Sequence, residues 1–150
     1  MNPAHEMPPA PASASAFGDA TVERLRILIV EDDFLIGMLL ADMLEVMGHE
    51  VCATEATEEG AVAAAAKWLP TMLIIDAQLR EGSGISAVDR ILSERALPYI
   101  FVTGDLQGVK QLRPNAIVVE KPYTEDVLIC AMQRARANVD LIQSAGIKKP

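Results

Sequence analysis

Five short apolar runs, each followed by a segment of different character, constrain this chain more than any other feature of its sequence. The runs are continuous rather than alternating, which indicates strands that are buried on both faces of a sheet. The predicted strands are residues 26–30, 50–54, 71–76, 99–103 and 116–120. Because helical segments alternate with these strands, the sequence predicts a doubly wound, five-stranded parallel α/β sheet.

The segments between the runs carry helix boundary signals. Gly48 follows the first segment with helical spacing, and Pro70 follows the second, which Thr57 can cap at its start. The predicted helices are residues 34–47, 57–68, 85–95 and 124 to about 138 or beyond. Residues 105–114 are expected to form a short, weak helix at best, because Gly108 and a proline interrupt them.

The length of 150 residues suits one domain with its own core. Residues 1–22 are rich in proline, alanine and serine and lack a hydrophobic period, so they are predicted to be a disordered tail. The folded domain is predicted over residues 23–140, with a short C-terminal tail over residues 141–150. Because only about ten residues follow the predicted domain, we expect no DNA-binding or enzymatic output domain after it.

The chain is acidic, with a net charge of −8 and a pI of about 4.7. This charge argues against nucleic acid and anionic membranes as partners, but it permits a bound cation or a basic patch on a partner protein. Cys52 and Cys130 lie in apolar runs without metal-ligand spacing, so both are expected to be buried, reduced thiols. With no candidate membrane span and no secretory signal, a cytoplasmic protein is expected.

Polar side chains follow four of the predicted strands at their carboxyl ends, where the ligand crevice of such a sheet lies. They are Glu31, Asp32, Asp33, Asp76, Thr103 and Lys121. Clustered carboxylates repel each other unless a cation is present. Mg²⁺ suits such a cluster, because it takes one or two protein carboxylates and fills its other positions with water and phosphate oxygens.

These residue types can support phosphoryl transfer. A carboxylate beside the metal can attack phosphorus and form an acyl phosphate. The reaction needs mainly positioning and neutralisation of charge. Lys121 would supply a positive charge, and Thr103 would supply a hydroxyl for a phosphate oxygen.

The order and spacing of these residues resemble the receiver domain of two-component response regulators over about residues 24–140. The matching residues are Glu31, Asp32, Asp76, Gly84, Thr103, Lys121 and Pro122. The resemblance implies a flavodoxin-like receiver fold in which Asp76 is the phosphoacceptor and Thr103 is the switch hydroxyl. It also implies a cis peptide bond between Lys121 and Pro122.

The resemblance further implies a magnesium site. Asp32 and Asp76 would bind Mg²⁺ directly, together with the backbone carbonyl of Gln78, and Glu31 would act through water. Asp33 is better interpreted as the N-cap of the helix that follows.

Several positions depart from the usual pattern of that family. Val118 stands where the family often has an aromatic switch residue, so an aromatic ring cannot couple the site to an output surface from this position. Gln78 and Asp105 flank the site at positions that commonly tune self-dephosphorylation. Arg80 stands where the family often has proline, which favours a less rigid loop.

Phe101-Val-Thr-Gly104, together with the later Lys-Pro-Tyr, resembles a subgroup of single-domain receivers with a Phe-Ala-Thr-Gly-aromatic motif. This subgroup is mostly alphaproteobacterial, and its loop after the fourth strand tends to be mobile. Gly104 and Gly108 would allow that mobility here. We therefore expect phosphate on Asp76 to order residues 104–114.

The expected protein is a single-domain response regulator, with no enzymatic activity beyond its own phosphorylation and dephosphorylation. Its donor would be a sensor histidine kinase or a histidine phosphotransfer protein, because neither His5 nor His49 has the surroundings of a phosphodonor. It would signal by protein–protein contact, as a homodimer or with other partners, or serve as a phosphorelay intermediate or sink. Two alternatives stay open. They are an unphosphorylated receiver-like adaptor and a Mg²⁺-dependent phosphohydrolase of the haloacid dehalogenase type, for which Glu31 and Asp33 have the required spacing.

Overall fold

The computed structural model describes residues 23–144 of the chain. The tail predicted over residues 1–22 lies outside the described residues, as do residues 145–150 of the predicted C-terminal tail. The last helix continues to Ser144, so the first residues assigned to that C-terminal tail are helical.

Five strands and five helices alternate along the described residues. The strands are β1 (Arg26–Val30), β2 (Glu50–Glu55), β3 (Met72–Asp76), β4 (Tyr99–Thr103) and β5 (Val118–Glu120). The helices are α1 (Phe34–Val46), α2 (Glu58–Trp68), α3 (Gly84–Leu92), α4 (Leu106–Leu112) and α5 (Glu125–Ser144). The strands pair in parallel in the order β2-β1-β3-β4-β5. The predicted doubly wound, five-stranded parallel sheet with the flavodoxin-like receiver fold is therefore confirmed.

Side chains of the strands alternate between two hydrophobic cores, one on each face of the sheet. The core next to α1 and α5 includes Ile27, Ile29, Leu44, Ile74 and Leu128. The core next to α2, α3 and α4 includes Leu28, Val30, Ile75, Phe101 and Val109. Each large aliphatic side chain buried in this way contributes about 1.5–3 kcal/mol. The covering of both faces explains why the central strands are continuously apolar in sequence.

Two of the helix starts follow the boundary signals in the sequence. Asp33 Oδ1 accepts a hydrogen bond from the Ile36 N–H at 3.1 Å, which confirms Asp33 as the N-cap of α1. Thr57 Oγ1 accepts from the Gly60 N–H at 3.0 Å and caps α2. Each cap satisfies a backbone donor that has no partner inside its helix.

The third helix, α3, is shorter than predicted and ends at Leu92 instead of residue 95. The hydroxyl of Ser93 donates to the carbonyl oxygen of Arg90 at 2.6 Å, a local bond of the kind that competes with continuation of a helix. At its other end, α3 is capped by Ser83, whose hydroxyl accepts from the Ile85 N–H at 3.1 Å.

The fourth helix, α4, is better formed than the sequence indicates, because it is regular from residue 106 to residue 112. Gly108 does not interrupt this helix. A Cβ atom at Gly108 would lie 2.2 Å from Asp105 Oδ2, so the glycine makes room for the carboxylate that caps the helix. The mobility of residues 104–114 stays a prediction.

The prediction of two buried thiols is wrong for Cys130, which is exposed on α5. Cys52 is partly buried on β2. Its neighbours Leu128 and Ala131 are buried in the core next to α1 and α5, whereas Cys130 lies off that face of the helix. None of the helices within residues 23–144 is long and apolar enough to cross a membrane.

The outer side of α1 carries large apolar side chains that no described residue covers. Phe34 is 80% exposed, Leu35 61% and Leu39 59%. We refer to these three residues and Met38 as the α1 surface. Apolar patches of this kind mark contact sites for other molecules more often than isolated apolar residues do.

His49 is a buried polar residue between α1 and β2. Its Nδ1 accepts a hydrogen bond from the Leu25 N–H at 3.1 Å, so the neutral ring is the form that fits. Burial lowers the pKa of His49 below its usual value of 6.5, and the positive charges of Arg136 and Arg24 lower it further.

We expect the free energy of unfolding to fall more steeply with acidification in the wild type than in His49→Asn, between about pH 8 and about pH 5. The neutral form of His49 stabilises the folded protein. This contribution is complete above the pKa of 6.5 that His49 has in the unfolded chain, and it is lost as the pH falls through the lower pKa of His49 in the folded protein. Asparagine keeps an acceptor for the Leu25 N–H but does not titrate. Urea unfolding of both proteins across this range is the measurement, and parallel pH profiles would contradict the expectation.

Candidate functional site

The carboxyl edge of the sheet gathers the polar side chains that the sequence places at strand ends. Glu31 and Asp32 follow β1, Asp76 ends β3, Thr103 ends β4 and Lys121 follows β5. Carboxylate oxygens of Glu31, Asp32 and Asp76 all lie within 4.8 Å of one another. The structure therefore brings these residues to one place.

Lys121 joins two of these carboxylates. Its Nζ donates to Asp76 Oδ2 at 2.8 Å and to Glu31 Oε1 at 3.1 Å. The backbone N–H of Lys121 donates to the carbonyl oxygen of Thr103 at 2.8 Å, which fixes the start of the lysine side chain beside β4. The peptide bond to the following Pro122 is cis, as the resemblance implies.

The pKa values of Glu31 and Lys121 reflect their burial and their mutual attraction. Burial raises the pKa of the Glu31 carboxyl above its usual value, and the Asp33 N–H and Lys121 only partly offset this. Burial is also the largest single influence on Lys121, where it lowers the pKa. The hydrogen bonds and charges of Asp76 and Glu31 together outweigh it, so the pKa of Lys121 lies above its usual value. Lys121 is therefore a firmly charged ammonium between two buried carboxyl groups.

Asp76 is 8% exposed and is held at both oxygens. Oδ1 accepts from the Gln78 N–H at 2.9 Å, while Oδ2 accepts from Lys121. Asp32 is held from the loop after β3, because its Oδ2 accepts from the Arg80 N–H at 2.7 Å. The side chain of Arg80 is 76% exposed, and its Nε lies 3.8 Å from the same oxygen of Asp32. This contact was not predicted, and no pattern in the local sequence indicates it.

The hydroxyl of Thr103 is fully buried and accepts a hydrogen bond from the Asp105 N–H at 2.9 Å. The side chain of Asp105 has a different partner. Its Oδ1 accepts from the Gly108 N–H at 3.1 Å, which makes Asp105 the N-cap of α4. Asp105 thus holds Thr103 through its backbone and α4 through its side chain. Its tuning of dephosphorylation stays a prediction.

Gly84 lies where α3 begins and where its backbone passes very close to β3. A Cβ atom at this position would lie 1.9 Å from the carbonyl oxygen of Asp76 and 2.8 Å from Ile75 Cγ2. The Gly84 N–H also donates to the carbonyl oxygen of Ala77 at 3.0 Å. The resemblance places a glycine here, and the geometry gives the reason, since any side chain would collide with the backbone of the residue at the centre of the site.

The remaining positions that the sequence analysis named lie around this centre. Val118 is half-buried on β5 and pairs with Phe101 of β4. Gly104 is exposed, with no atom within 4 Å of the place where its Cβ would be. Asp33 is occupied as the cap of α1 and does not belong to the group of three carboxylates.

The donor set of this site fits a hard divalent cation. Three carboxylates from two strands lie within reach of one ion, and hard cations such as Mg²⁺ and Ca²⁺ prefer oxygen ligands. Glu31, Asp32 and Asp76 each offer one carboxylate oxygen to such an ion. The same edge holds an ammonium and a hydroxyl, the groups that a phosphoryl oxygen requires.

Comparison with known proteins agrees with this geometry. The family model described as the response regulator receiver domain matches residues 27–133. The transcriptional regulatory protein PdtaR of Mycobacterium tuberculosis is 34% identical over 121 residues, which cover 78% of this chain and 58% of PdtaR. The phyllosphere-induced regulator PhyR of Methylorubrum extorquens is 39% identical over 101 residues, which cover 65% of this chain and 38% of PhyR. The chain therefore spans less than two thirds of the length of these relatives.

Solved structures give the same assignment. The receiver domain of Erythrobacter litoralis PhyR is 35% identical, with a TM-score of 0.69 over 75% of this chain and 89% of that domain. PhyR from Brucella abortus is 34% identical, with a TM-score of 0.74 over 83% of this chain and 52% of that protein. The similarity to PhyR is consistent with the alphaproteobacterial subgroup that the Phe101-Val-Thr-Gly104 motif at the end of β4 suggests. The fold, the grouped strand-end residues and these similarities together mean that the chain belongs to the response regulator receiver domain family.

Proposed function

We propose that this chain is a phosphoryl-accepting response regulator whose acceptor is Asp76 and whose cofactor is Mg²⁺. The observation that carries the proposal is the contact of Lys121 with Asp76 at 2.8 Å inside a group of three carboxylates. A structural ion pair needs one acid, whereas phosphoryl transfer needs an acid that can react, a cation to offset its neighbours and an ammonium for the incoming charge.

In the proposed reaction, a carboxylate oxygen of Asp76 attacks the phosphorus atom of a phosphorylated histidine on a partner. A new O–P bond forms while the N–P bond breaks, and the leaving imidazole takes up a proton from solvent. Asp32, Asp76 and the backbone carbonyl of Gln78 would hold Mg²⁺ directly, with Glu31 acting through water. When bound, Mg²⁺ neutralises part of the charge of the carboxylates and of the phosphoryl oxygens.

Lys121 and Thr103 have separate roles in this proposal. The Lys121 ammonium stays beside Asp76 and balances the charge that the phosphoryl group brings. The Thr103 oxygen, which accepts from the Asp105 N–H, moves towards the phosphoryl group so that its hydroxyl can donate to a charged phosphoryl oxygen, and this movement draws it away from the Asp105 N–H. Release of the Asp105 N–H from Thr103 would change how residues 104–114 are held, which supports the expected response of this loop to phosphorylation.

The donor would be a sensor histidine kinase or a histidine phosphotransfer protein in the cytoplasm. The α1 surface supports this, because it exposes apolar side chains immediately after Glu31 and Asp32. Output would follow through protein–protein contacts, including a homodimer through α4, β5 and α5, or the domain would act as a relay or a sink. Two similar structures are those of the anti-anti-sigma factor PhyR from Bartonella quintana, and this similarity supports output through contact with other proteins.

The test is the intact mass of the protein after incubation with acetyl phosphate and Mg²⁺. We expect one phosphoryl group on the wild type, none without Mg²⁺, and none on Asp76→Asn. Asp33→Asn is the matched control, since it keeps a good N-cap beside the site and should be modified like the wild type. Amide exchange of the modified sample reports on residues 104–114, where unchanged rates would contradict the loop response.

An adduct on Asp76→Asn, or none on the wild type, would overturn the assignment of the acceptor. An unmodified wild type would favour the adaptor alternative. Turnover of phosphomonoesters by the wild type would favour the phosphohydrolase. That alternative needs Asp33 as an acid next to the nucleophile, whereas Asp33 Oδ1 is engaged with the Ile36 N–H at the start of α1.

A further inference from the structure

We propose that Glu58, in the first turn of α2, is a positioning residue for the segment that carries Gln78. We call residues 77–83 the acceptor loop, because they connect Asp76 to α3. The inference rests on the proposed function, since it assigns to Glu58 a role in holding the loop that completes the Mg²⁺ site. Glu58 lies on the neighbouring helix and does not belong to the carboxylate group at the strand ends.

Both the side chain and the backbone of Glu58 bind the end of the acceptor loop. Its Oε1 accepts from the Ser83 N–H at 2.9 Å, and its Oε2 accepts from the Ser86 hydroxyl at 2.6 Å. Its own N–H donates to the carbonyl oxygen of Glu81 at 3.2 Å. The last of these satisfies a donor at the start of α2 that has no partner inside the helix. Glu58 therefore fixes the loop and the start of α3 at the same time.

The contact is transmitted to Asp76 through the backbone of the loop. Ser83 forms an isolated antiparallel bridge with Gln78 on the opposite side of the loop. The Gln78 N–H in turn donates to Asp76 Oδ1 at 2.9 Å. The path from Glu58 to the acceptor carboxylate therefore runs through two residues, and every link is a backbone pairing or a hydrogen bond.

The loop packs against Glu58 so closely that only glycine fits beside it. Gly82 has a φ of 89°, and a Cβ atom there would lie 2.4 Å from the Cβ of Glu58. A side chain at residue 82 would therefore collide with the first turn of α2, and the positive φ is a second, independent reason for glycine at this position. The fit indicates that the two segments are held together as one unit.

The carboxylate of Glu58 also binds Arg90 of α3. Its NH1 lies 3.0 Å from Glu58 Oε2 and 2.8 Å from Glu59 Oε2. The Ser86 hydroxyl, the Ser83 N–H and then Arg90 lower the pKa of Glu58 to about 2. Hydrogen bonds to a charged acceptor are stronger than those to a neutral one.

The sequence of the acceptor loop gives its backbone little restraint of its own. Arg80 stands at the position where receivers often have proline, so the acceptor loop lacks a ring that would restrict its backbone. The bonds from Glu58 supply a restraint of another kind, from the neighbouring helix. The contact between α2 and the loop therefore adds to the bonds that the Gln78 and Arg80 N–H groups donate to Asp76 and Asp32.

The experiment compares Glu58→Ala with Glu59→Ala, because both variants remove a carboxylate partner of Arg90 and only the first removes the side-chain bonds to Ser83 and Ser86. We expect amide exchange of residues 78–83 to become about tenfold faster in Glu58→Ala, as the loss of a hydrogen bond to a charged group predicts. We expect the Kd for Mg²⁺, measured by calorimetry, to rise roughly three- to tenfold, since part of the binding energy must then order the loop. Glu59→Ala should match the wild type in both.

Glu58→Gln is the second variant, and it also serves if Glu58→Ala does not fold. It keeps an acceptor for the Ser83 N–H and loses the charge, so its exchange rates and Kd should lie between those of the wild type and Glu58→Ala. Wild-type exchange and wild-type Mg²⁺ affinity in both Glu58 variants would overturn the inference. If the wild type itself binds no Mg²⁺ and gains no phosphoryl group, the proposed function fails, while the exchange rates still decide whether Glu58 holds the loop.

Discussion

Replacing Lys121 with methionine is expected to lower the free energy of unfolding by about 3 kcal/mol in the absence of divalent cations. Removal of one partner from a buried ion pair costs about 3–5 kcal/mol, because a buried charge is left without compensation. Glu31 is 7% exposed and Asp76 is 8% exposed, so neither carboxylate can turn fully to water. The lower end of the range applies because the Lys121 side chain keeps 25% exposure and solvent screens part of the effect.

Mg²⁺ should reduce this deficit. A cation that binds only the folded protein stabilises it by about 2.7 kcal/mol at a hundredfold excess over Kd. The variant should bind Mg²⁺ more tightly than the wild type, because the competing ammonium is gone, so it should gain more stability from the same concentration of Mg²⁺. Urea unfolding with and without Mg²⁺ measures both effects. Lys67→Met is the control, since Lys67 lies 4.8 Å from the ring centre of Trp68 on an exposed face and should cost less than about 1 kcal/mol. A deficit that Mg²⁺ leaves unchanged would contradict the assignment of the cation to these carboxylates.

Gly84→Ala is expected to destabilise the fold by about 3 kcal/mol, the upper end of the usual range for an overpacked core. The added methyl group would lie 1.9 Å from the carbonyl oxygen of Asp76, which is backbone in a central strand and cannot move aside as a side chain would. Alanine favours helices over glycine by about 1 kcal/mol in a helix interior and by less at the first position, so propensity cannot offset the clash.

Urea unfolding of Gly84→Ala and Gly104→Ala separates the clash from the general effect of replacing a glycine. No atom lies within 4 Å of a Cβ at Gly104, so that control should change stability by less than about 1 kcal/mol. Because the collision involves the backbone of Asp76, the first variant should also accept less phosphoryl group at equal concentrations of folded protein. Stability equal to that of the wild type would contradict the close approach of α3 to β3.

The sequence predicted the carboxyl-edge site well because the rule behind it is general. In a parallel sheet, every strand ends at the same edge, so Glu31, Asp76 and Lys121 had to meet if the strands were identified correctly. The continuous apolar runs made that identification possible. The direct contacts of Lys121 with both acids then follow from the length of the lysine side chain and the spacing of the strands.

The contacts that surround the site could not be predicted in the same way. From the sequence alone, Glu58 is an acidic residue in the first turn of a predicted helix, where the helix dipole stabilises any carboxylate. Its bonds to Ser83 and Ser86 join positions that are 25 and 28 residues apart and depend on how two neighbouring helices pack. No periodic pattern encodes such a distance.

Gly108 illustrates a different kind of failure. It was interpreted as a residue that interrupts the helix over residues 105–114. The structure instead pairs it with Asp105, whose carboxylate accepts from the Gly108 N–H as the N-cap of α4. The spacing of three residues between an aspartate and the amide it caps was visible in the sequence, and it could have indicated the helix.

The bond between Lys121 and Glu31 joins residues that are 90 positions apart. A ribosome produces the acidic end of β1 and the aspartate of β3 well before it produces the lysine that balances them. Until β5 has been translated, the growing chain holds like charges along an incomplete sheet edge. A chain that stops short of β5 therefore keeps Glu31 and Asp76 without the lysine that contacts both of them.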